Sequence, residues 1–163
     1  MPFFTGQAKS SMDQKGRISI PAKFRKIFSA DSQETIVLCA GIEKCAYGWT
    51  TKGWQQLLVN LKKLQIPEGK KNIAMRHLLT TGEELNFDKQ GRITLPGHLI
   101  KYANLDKDVL IAGNGDRLEV WDATIYQEQL EASHKELEDI WDTITLGSET
   151  FAQNVDSVNH DKK

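Results

Sequence analysis

An arginine occurs twice in this chain in the same short polar setting, directly after a predicted tight turn. Arg17 follows the segment Asp13 to Gly16, and Arg92 follows the segment Asp88 to Gly91. The planar guanidinium of arginine is a fork of N–H donors that fits phosphate oxygens or the O6/N7 edge of guanine. Two equivalent loops of this kind are candidates for binding a polyanion, with phosphate contacts fixing the register of a strand in a groove.

The two loops belong to a longer internal repeat. Asp13 to Lys26 and Asp88 to Lys101 lie 75 residues apart and are identical at six of fourteen positions, whereas two arbitrary windows share about one identity. Further positions hold close substitutes, Ser19 and Thr94 among them. We conclude that the chain contains two copies of one structural unit, and this repeat constrains any fold assignment.

Each copy predicts a turn, a strand and a short helix. Aspartate at the first position and glycine at the fourth favour a type I turn, because the carboxylate accepts nearby backbone N–H groups and glycine tolerates a positive φ. Ile18 and Ile20 alternate with polar residues, which is typical of a strand with one buried face. A proline then ends each strand and suits the first turn of a helix. The residues assigned to turn stabilisation are Asp13, Gly16, Asp88 and Gly91.

The flanking segments repeat the same order in both halves. A strand is predicted from Phe4 to Met12, and apolar strands at Ile36 to Ala40 and Val109 to Ala112 are followed by return strands that end in Trp49 and Trp121. A helix follows each return strand, and we expect most of its apolar face to pack in the core. Because each half alone would expose sheet edges, we predict an α+β fold in which the halves close a pseudo-twofold β-barrel with helices packed outside.

This organisation divides the chain into four parts. Residues 1–66 form the first repeat and residues 83–146 form the second. Residues 67–82 are a connector, which begins with turn-forming residues and contains a short helix from about Asn72 to Thr80. Residues 147–163 are polar, and this composition predicts a disordered tail.

Charge is distributed unevenly along the chain, although the net charge is only −1. Residues 1–29 contain six basic residues against one acid, and residues 119–149 contain nine acids against one lysine. The basic segment favours an anionic partner, which is either a polyanion or the acidic segment of a neighbouring chain. No run approaches the roughly 20 apolar residues that span a bilayer, and no signal segment is recognisable at the N-terminus. We expect a cytoplasmic protein without a membrane partner.

Residues suited to catalysis or metal binding form no recognisable motif. Cys39 and Cys45 lack zinc-site spacing and are interpreted as reduced, partly buried thiols. The four histidines are scattered, and Gly113 to Asp116 predicts a hairpin turn and not a phosphate loop. Asp13 and Asp88 would form a metal site or an acid–base pair only if the fold placed them together. We predict no enzymatic activity, no metal, no cofactor and no small-molecule substrate.

The doubled motif D-x-x-G-R-[ILV]-x-[ILV]-P resembles the MraZ family of bacterial transcription regulators, a two-copy branch of the SpoVT-AbrB-like swapped-hairpin proteins. The segment Phe4 to Gly6 is similar to the family's F-x-G opening, and Glu119 to Asp122 is similar to its E-x-W-D strand end. The likeness extends from Phe4 to about Trp141. It therefore involves nearly the whole chain.

The resemblance implies a swapped-hairpin barrel and a ring-shaped homo-oligomer with subunits joined head to tail. It also implies a nucleoid-associated regulator that binds double-stranded DNA at repeated operator motifs upstream of its own cell-division and cell-wall gene cluster. In the second copy Ile100 stands where the first has Arg25, so the second helix is less basic. The candidate DNA-binding residues are Arg17, Arg92, Lys15, Lys89, Lys23 and Arg25.

Two alternatives remain open at this point. Arg17 and Arg92 could each pair with the aspartate of its own turn and serve the structure, a role that is compatible with DNA contact. The chain could also be a ring-forming structural or protein-interaction protein whose basic residues only join subunits. In that case it would make no direct contact with DNA.

Overall fold

The structure, a computed structural model, describes residues 3–32 and 34–145. The chain forms two compact units, Met1–Tyr126 and Gln127–Lys163. The first unit contains all the β-strands described below, and the described part of the second is helical. The predicted disordered tail, residues 147–163, lies outside the described residues.

Each half follows the order strand, turn, strand, helix, hairpin, helix that the repeat predicts. The first half contains β1 (Gln7–Ser11), β2 (Arg17–Ser19), α1 (Ala22–Ser32), β3 (Thr35–Ala40), β4 (Ala46–Trp49) and α2 (Thr51–Lys63). A joining helix, α3 (Glu68–Thr81), comes next. The second half contains β5 (Glu83–Asn86), β6 (Arg92–Thr94), α4 (Gly97–Tyr102), β7 (Asp108–Asn114), β8 (Arg117–Asp122) and α5 (Ala123–Ala132). Residues 134–145 form a further helix, α6.

Polar caps explain where the two hairpin-following helices begin. The hydroxyl of Thr50 accepts a hydrogen bond from the Gly53 N–H at 3.0 Å and caps α2. The carboxylate of Asp122 accepts the N–H groups of Thr124 and Ile125 at 3.0 and 3.1 Å and plays the same part for α5. Both caps satisfy backbone donors that a helix start leaves without partners.

The strands are exchanged between the two repeats. Six strands form an antiparallel sheet in the order β1-β7-β8-β4-β3-β5, and β2 pairs with β6 in a separate two-stranded ribbon. Interchanging the two repeats turns the sheet order into its own reverse. The topology is therefore pseudo-twofold, with the β4–β8 pair at its centre.

The α+β class is confirmed, but the described strands do not form the closed barrel that was expected. The six-stranded sheet is open, with β1 and β5 at its edges. The three-residue strands β2 and β6 pair only with each other, so they do not bridge those edges. Beyond β1, the N–H of Met12 still bonds to the Lys107 carbonyl of the second half, at 2.8 Å. The first turn then leads the chain out of the sheet and into the ribbon.

The main core lies between one face of the sheet and a layer made by the ribbon, α1 and α4. The ribbon contributes Ile18 and Ile93, α1 contributes Phe24 and Phe28, and α4 contributes Leu99, all at most 1% exposed. Burial of each such side chain contributes about 1.5–3 kcal/mol to folding. The ribbon is therefore anchored in the core through Ile18 and Ile93, and its other face points away from the core.

The opposite face of the sheet is covered by helices. Trp49 of β4 packs against Trp54 of α2, with ring centroids 5.6 Å apart. His77 of α3 lies with Nε2 2.8 Å from the Ala40 carbonyl oxygen. Near β7 and β8, Tyr126 at the start of α5 packs on Trp121, with centroids 5.6 Å apart. Because both faces are covered, β3 is buried along almost its whole length, as its unbroken apolar run predicts.

Two predicted boundaries were wrong for local reasons. The strand expected from Phe4 begins only at Gln7, because Gly6 has a φ of +82° and interrupts the extended chain. The connector helix begins at Glu68 and not near Asn72. Pro67 stands just before it and its carbonyl accepts the Lys70 N–H at 3.0 Å, so the proline starts the helix where a turn was predicted.

The described part of the second unit is a pair of consecutive helical segments with an exposed apolar stripe. The expectation that most of the apolar face is in the core does not hold here, because its large apolar residues are 49–60% exposed. These residues are Leu130, Leu137, Ile140, Trp141 and Ile144. No helix in residues 3–32 and 34–145 is both long and apolar enough to cross a membrane.

Candidate nucleic-acid interface

The ribbon places both motif arginines on one face. Arg17 lies opposite Thr94, and Arg92 lies opposite Ser19. Opposite residues of an antiparallel pair share a face, so the two arginines and two hydroxyl residues lie together, away from the buried isoleucines. The arginines occupy a diagonal of this face, which places their Cα atoms about 7–8 Å apart. Asp13 and Asp88 adjoin opposite ends of the ribbon and do not form a carboxylate pair.

The first turn is built around the Asp13 carboxylate. The Gly16 N–H donates to the Asp13 carbonyl at 3.0 Å and closes the turn, with Gly16 at a φ of +77°. One carboxylate oxygen accepts the N–H groups of Lys15 and Arg17, each at 2.9 Å. The other accepts Nε of Arg17 at 2.6 Å. A single side chain therefore fixes both the turn and the arginine that follows it.

The second turn reproduces this geometry. The Asp88 carboxylate accepts the N–H groups of Gln90 and Arg92 at 2.9 Å, and Nε of Arg92 at 2.7 Å. Gly91 closes the turn at a φ of +74°. The repeat seen in the sequence is thus also a repeat of hydrogen bonds.

Each turn is also tied to the strand of the other repeat. The Leu95 N–H donates to the Gly16 carbonyl at 2.8 Å, and the Ile20 N–H donates to the Gly91 carbonyl at 3.1 Å. These bonds extend the pairing of the ribbon at both ends. The two loops are therefore held as one rigid element.

The structural pairing of the arginines leaves part of each guanidinium accessible. The side chains of Arg17 and Arg92 are 31% and 28% exposed. Their contact with aspartate is made through Nε, and among the described residues their Nη atoms have no hydrogen-bond acceptor. The guanidinium groups are neither buried nor enclosed by internal acids. Ion pairing within the turn and contact with an outside anion are therefore compatible.

The turn hydrogen bonds also affect the acidity of the aspartates. The backbone N–H of Arg17, followed by the Arg17 side chain and the Lys15 N–H, lowers the pKa of Asp13 below its ordinary value of 3.8. The equivalent groups of Arg92 and Gln90 lower the pKa of Asp88. Both carboxylates are therefore ionised at neutral pH and keep their arginines oriented.

The predicted lysines occupy different positions. Lys15 and Lys89 are exposed at the tips of the two turns. Lys23 is exposed on α1, where its ammonium lies 3.4 Å from the Gln7 carbonyl oxygen and 4.7 Å from the centroid of the Phe24 ring. The tip lysines thus lie beside the arginine pair, whereas Lys23 extends toward the backbone of Gln7, the first residue of β1.

Arg25 lies where the sequence did not place it. It was grouped with the first loop, but the strand exchange brings α1 beside the second turn, where Arg25 Nη1 donates to the Gln90 carbonyl at 3.3 Å. The guanidinium covers the Cα of Gly91. Its counterpart Ile100 covers Gly16 of the first turn. The repeat alone contains no signal for this crossing, because it depends on the pairing of β2 with β6.

Other polar groups in the first unit serve the structure. Glu119, only 6% exposed, accepts hydrogen bonds from Asn114, Arg117 and Trp121 at 2.8 to 3.0 Å. Cys39 and Cys45 are free thiols and are fully buried, not partly buried as predicted. Burial raises the pKa of Cys39 to about 12 and that of Cys45 further. Neither is a thiolate at neutral pH, and reactivity requires the thiolate.

A comparison with protein families agrees with this arrangement. The family described as "MraZ protein, putative antitoxin-like" matches the chain twice, over residues 3–76 and 78–146. Each match contains one turn, one ribbon strand and one motif arginine. The two matches together include most of the chain, and this two-repeat protein belongs to the MraZ family.

Proposed function

We propose that the chain is a non-enzymatic, sequence-specific DNA-binding transcriptional regulator, and that the exposed face of the ribbon is its DNA-contacting surface. The observation that supports this most directly is the position of two part-exposed guanidinium groups on one rigid face, each oriented through Nε by its own aspartate. An oriented guanidinium loses little conformational freedom on binding. A bidentate contact to guanine discriminates against other bases by about 1–3 kcal/mol.

The surroundings of the ribbon suit a polyanion. Lys15 and Lys89 extend from the turn tips, and Lys23 and Arg25 add cations on α1. Contacts of such residues with phosphates position a protein on the duplex, whereas contacts with base edges read its sequence. We assign the first role to the lysines and Arg25, and the second to Arg17 and Arg92.

The proposed genomic target rests on the resemblance to the family's regulators. We propose that the protein acts at the nucleoid, on repeated operator motifs upstream of its own cell-division and cell-wall gene cluster. One ribbon presents only two reading arginines, so a single chain makes few base contacts. Engagement of several repeats at once by associated copies would raise the overall affinity without any new contact.

Self-association into a ring is part of the proposal, and an apolar groove supports it. The groove lies between α2 and α3, has a volume of about 580 Å³, and its wall is almost entirely apolar. Ile42 and Ile73 on its wall are 79% and 66% exposed. Exposed apolar surface of this extent is typical of a protein–protein contact.

An acidic helix of a second copy fits that groove. Lys70 of α3 lines the groove and three further lysines lie near the end of α2 and the start of α3, whereas residues 127–145 contain six acids against one lysine beside the apolar stripe of α6. Head-to-tail contacts of this kind close into rings. The basic residues concerned are Lys62, Lys63, Lys70 and Lys71. They differ from those of the ribbon, so assembly and DNA binding need not compete for the same cations.

The test is a gel shift with DNA from the region upstream of the protein's own gene. We expect Arg17→Ala and Arg92→Ala to lose specific binding while the far-ultraviolet dichroism and sedimentation of the full chain stay unchanged. Arg76→Ala is the matched control, because Arg76 is exposed on α3 and lies outside the ribbon and both turns. If both ribbon variants shift the DNA as strongly as the wild type does, the proposal is wrong. Dissociation of these variants into monomers would favour the interaction protein without DNA contact.

A further inference from the structure

We propose that Arg25 and the second turn form a phosphate-binding unit that the first turn lacks, so that the two loops hold the DNA backbone unequally. This inference rests on the proposed function. It adds that the two loops, which the sequence presents as equivalent, differ in how strongly they bind phosphate. It assigns Arg25 to the loop of Arg92 and not to the loop of Arg17.

The structural basis is a cavity between α1 and the second turn. It has a volume of about 310 Å³, and its wall includes Arg25 and Ser29 of α1 together with Lys89 and Gly91 of the turn. Arg25 Nη1 donates to the Gln90 carbonyl at 3.3 Å, which holds the guanidinium against the loop. Arginine has five N–H donors, so most of them remain for a ligand.

The first turn has a different neighbour. There α4 presents Ile100, whose Cδ1 is 3.2 Å from the position that a Cβ on Gly16 would occupy. An aliphatic side chain offers no donor to a phosphate. The aspartate, the glycine and the motif arginine are the same in both loops, so the residue contributed by the opposite repeat is a chemical difference between them.

The charges of the cavity favour a monoanionic phosphodiester. Arg25 and Lys89 contribute two cations, and the carboxylates on the wall are those of Asp88 and Glu34. Asp88 is already paired with Arg92, which leaves Glu34 as the acid that opposes a bound anion. A phosphate held between an arginine and a lysine beside one carboxylate retains a net attraction.

A purely structural role for Arg25 is the competing explanation, because its guanidinium packs on Gly91 and bonds to the loop. The two roles differ in their dependence on salt. Each phosphate neutralised by a protein cation releases counterions, so the plot of log affinity against log salt changes slope by about one for each contact. If Arg25 only holds the turn in place, its removal would alter the affinity for DNA without altering that slope.

The experiment is fluorescence anisotropy of the full chain on one duplex from its upstream region, at several salt concentrations. We expect Arg25→Ile to bind about tenfold more weakly, with a salt slope shallower by about one. Ile100→Arg gives the first loop the same cation, and we expect its slope to be steeper by about one. Glu34→Gln should bind more tightly. Arg76→Ile is the control for removing an exposed arginine elsewhere.

The outcomes separate this inference from the proposed function. If the wild-type chain binds and Arg25→Ile keeps the wild-type affinity and slope, the inference is overturned while the regulator assignment stands. A change of affinity at constant slope would also overturn it and assign Arg25 to the turn alone. If Arg25→Ile does not fold, the Ile100→Arg slope decides. If no duplex is bound by the wild-type chain, both proposals fail.

Discussion

The guanidinium of Arg25 lies directly over the Cα of Gly91, although the two residues belong to different repeats. A Cβ on Gly91 would overlap Nη1 of Arg25 and lie 2.7 Å from its Cδ. Gly91 also has a φ of +74°, a conformation that costs other residues about 1–2 kcal/mol. This glycine is therefore required twice, once for the turn and once for the close approach of the opposite helix.

We predict that Gly91→Ala destabilises the chain more than Gly16→Ala. Both replacements suffer the cost of positive φ, about 1–2 kcal/mol each. The new methyl on Gly91 must also displace an arginine that bonds to the loop, whereas at Gly16 it meets Ile100 Cδ1 at 3.2 Å, which needs only a small shift. Urea unfolding of the two variants measures the difference.

A double-mutant cycle tests the cause of that difference. Combining Gly91→Ala with Arg25→Ala should bring the cost of the glycine replacement down to that of Gly16→Ala, because the overlap no longer exists. If Gly91→Ala lowers the free energy of unfolding by the same amount with and without the Arg25 side chain, the prediction is wrong. The arginine would then move aside at no cost in stability.

The turn aspartates predict an acid-dependent loss of stability. Their pKa values in the folded chain lie below 3.8, chiefly through the N–H groups of Arg17 and Arg92. A depressed folded pKa contributes stability that is complete above the unfolded value and is lost as the pH falls through the folded value. We expect the melting temperature of the Asp13→Asn/Asp88→Asn variant to fall less than that of the wild type from pH 5 to pH 2.

Other carboxylates titrate over the same range, so the comparison needs a control. Asp106→Asn removes an exposed carboxylate outside both turns, at a position with no hydrogen bond or ion pair among the described residues. Its melting curve should keep the wild-type dependence on pH. The prediction is contradicted if the melting temperatures of the Asp13→Asn/Asp88→Asn variant and the wild type fall by the same amount from pH 5 to pH 2.

Self-association should depend on the α2–α3 groove and on the stripe of α6. Ile73→Glu places a charge on the groove wall, and Trp141→Glu places one in the stripe. We expect either change to reduce the sedimentation coefficient of the full chain, because a buried unpaired charge opposes association. Val59→Glu is the control, since Val59 is 42% exposed on α2 but does not line the groove. If all three variants sediment like the wild type, the assembly uses another surface.

Local sequence determined much of this protein. The spacing of aspartate, glycine and arginine in each copy is sufficient for the turn, because the contacts of Asp13 reach no further than Arg17. The alternation of Ile18 with polar neighbours determined which face of the ribbon is buried. Thr50 and Asp122 marked the starts of two helices through bonds to residues two or three positions away. Contacts of such short range can be recognised without knowing the fold.

Tertiary structure alone decided how the two copies meet. The pairing of β2 with β6 and the exchange that places Arg25 over Gly91 and Ile100 over Gly16 involve residues at least 65 positions apart. The open sheet also depends on distant pairs, because β1 pairs with β7 and β4 pairs with β8. The two copies look like independent modules in sequence, and nothing in either motif indicates which helix will cover which turn. That choice depends on burying Ile18 and Ile93 together in one core, a requirement of the whole chain and not of either repeat.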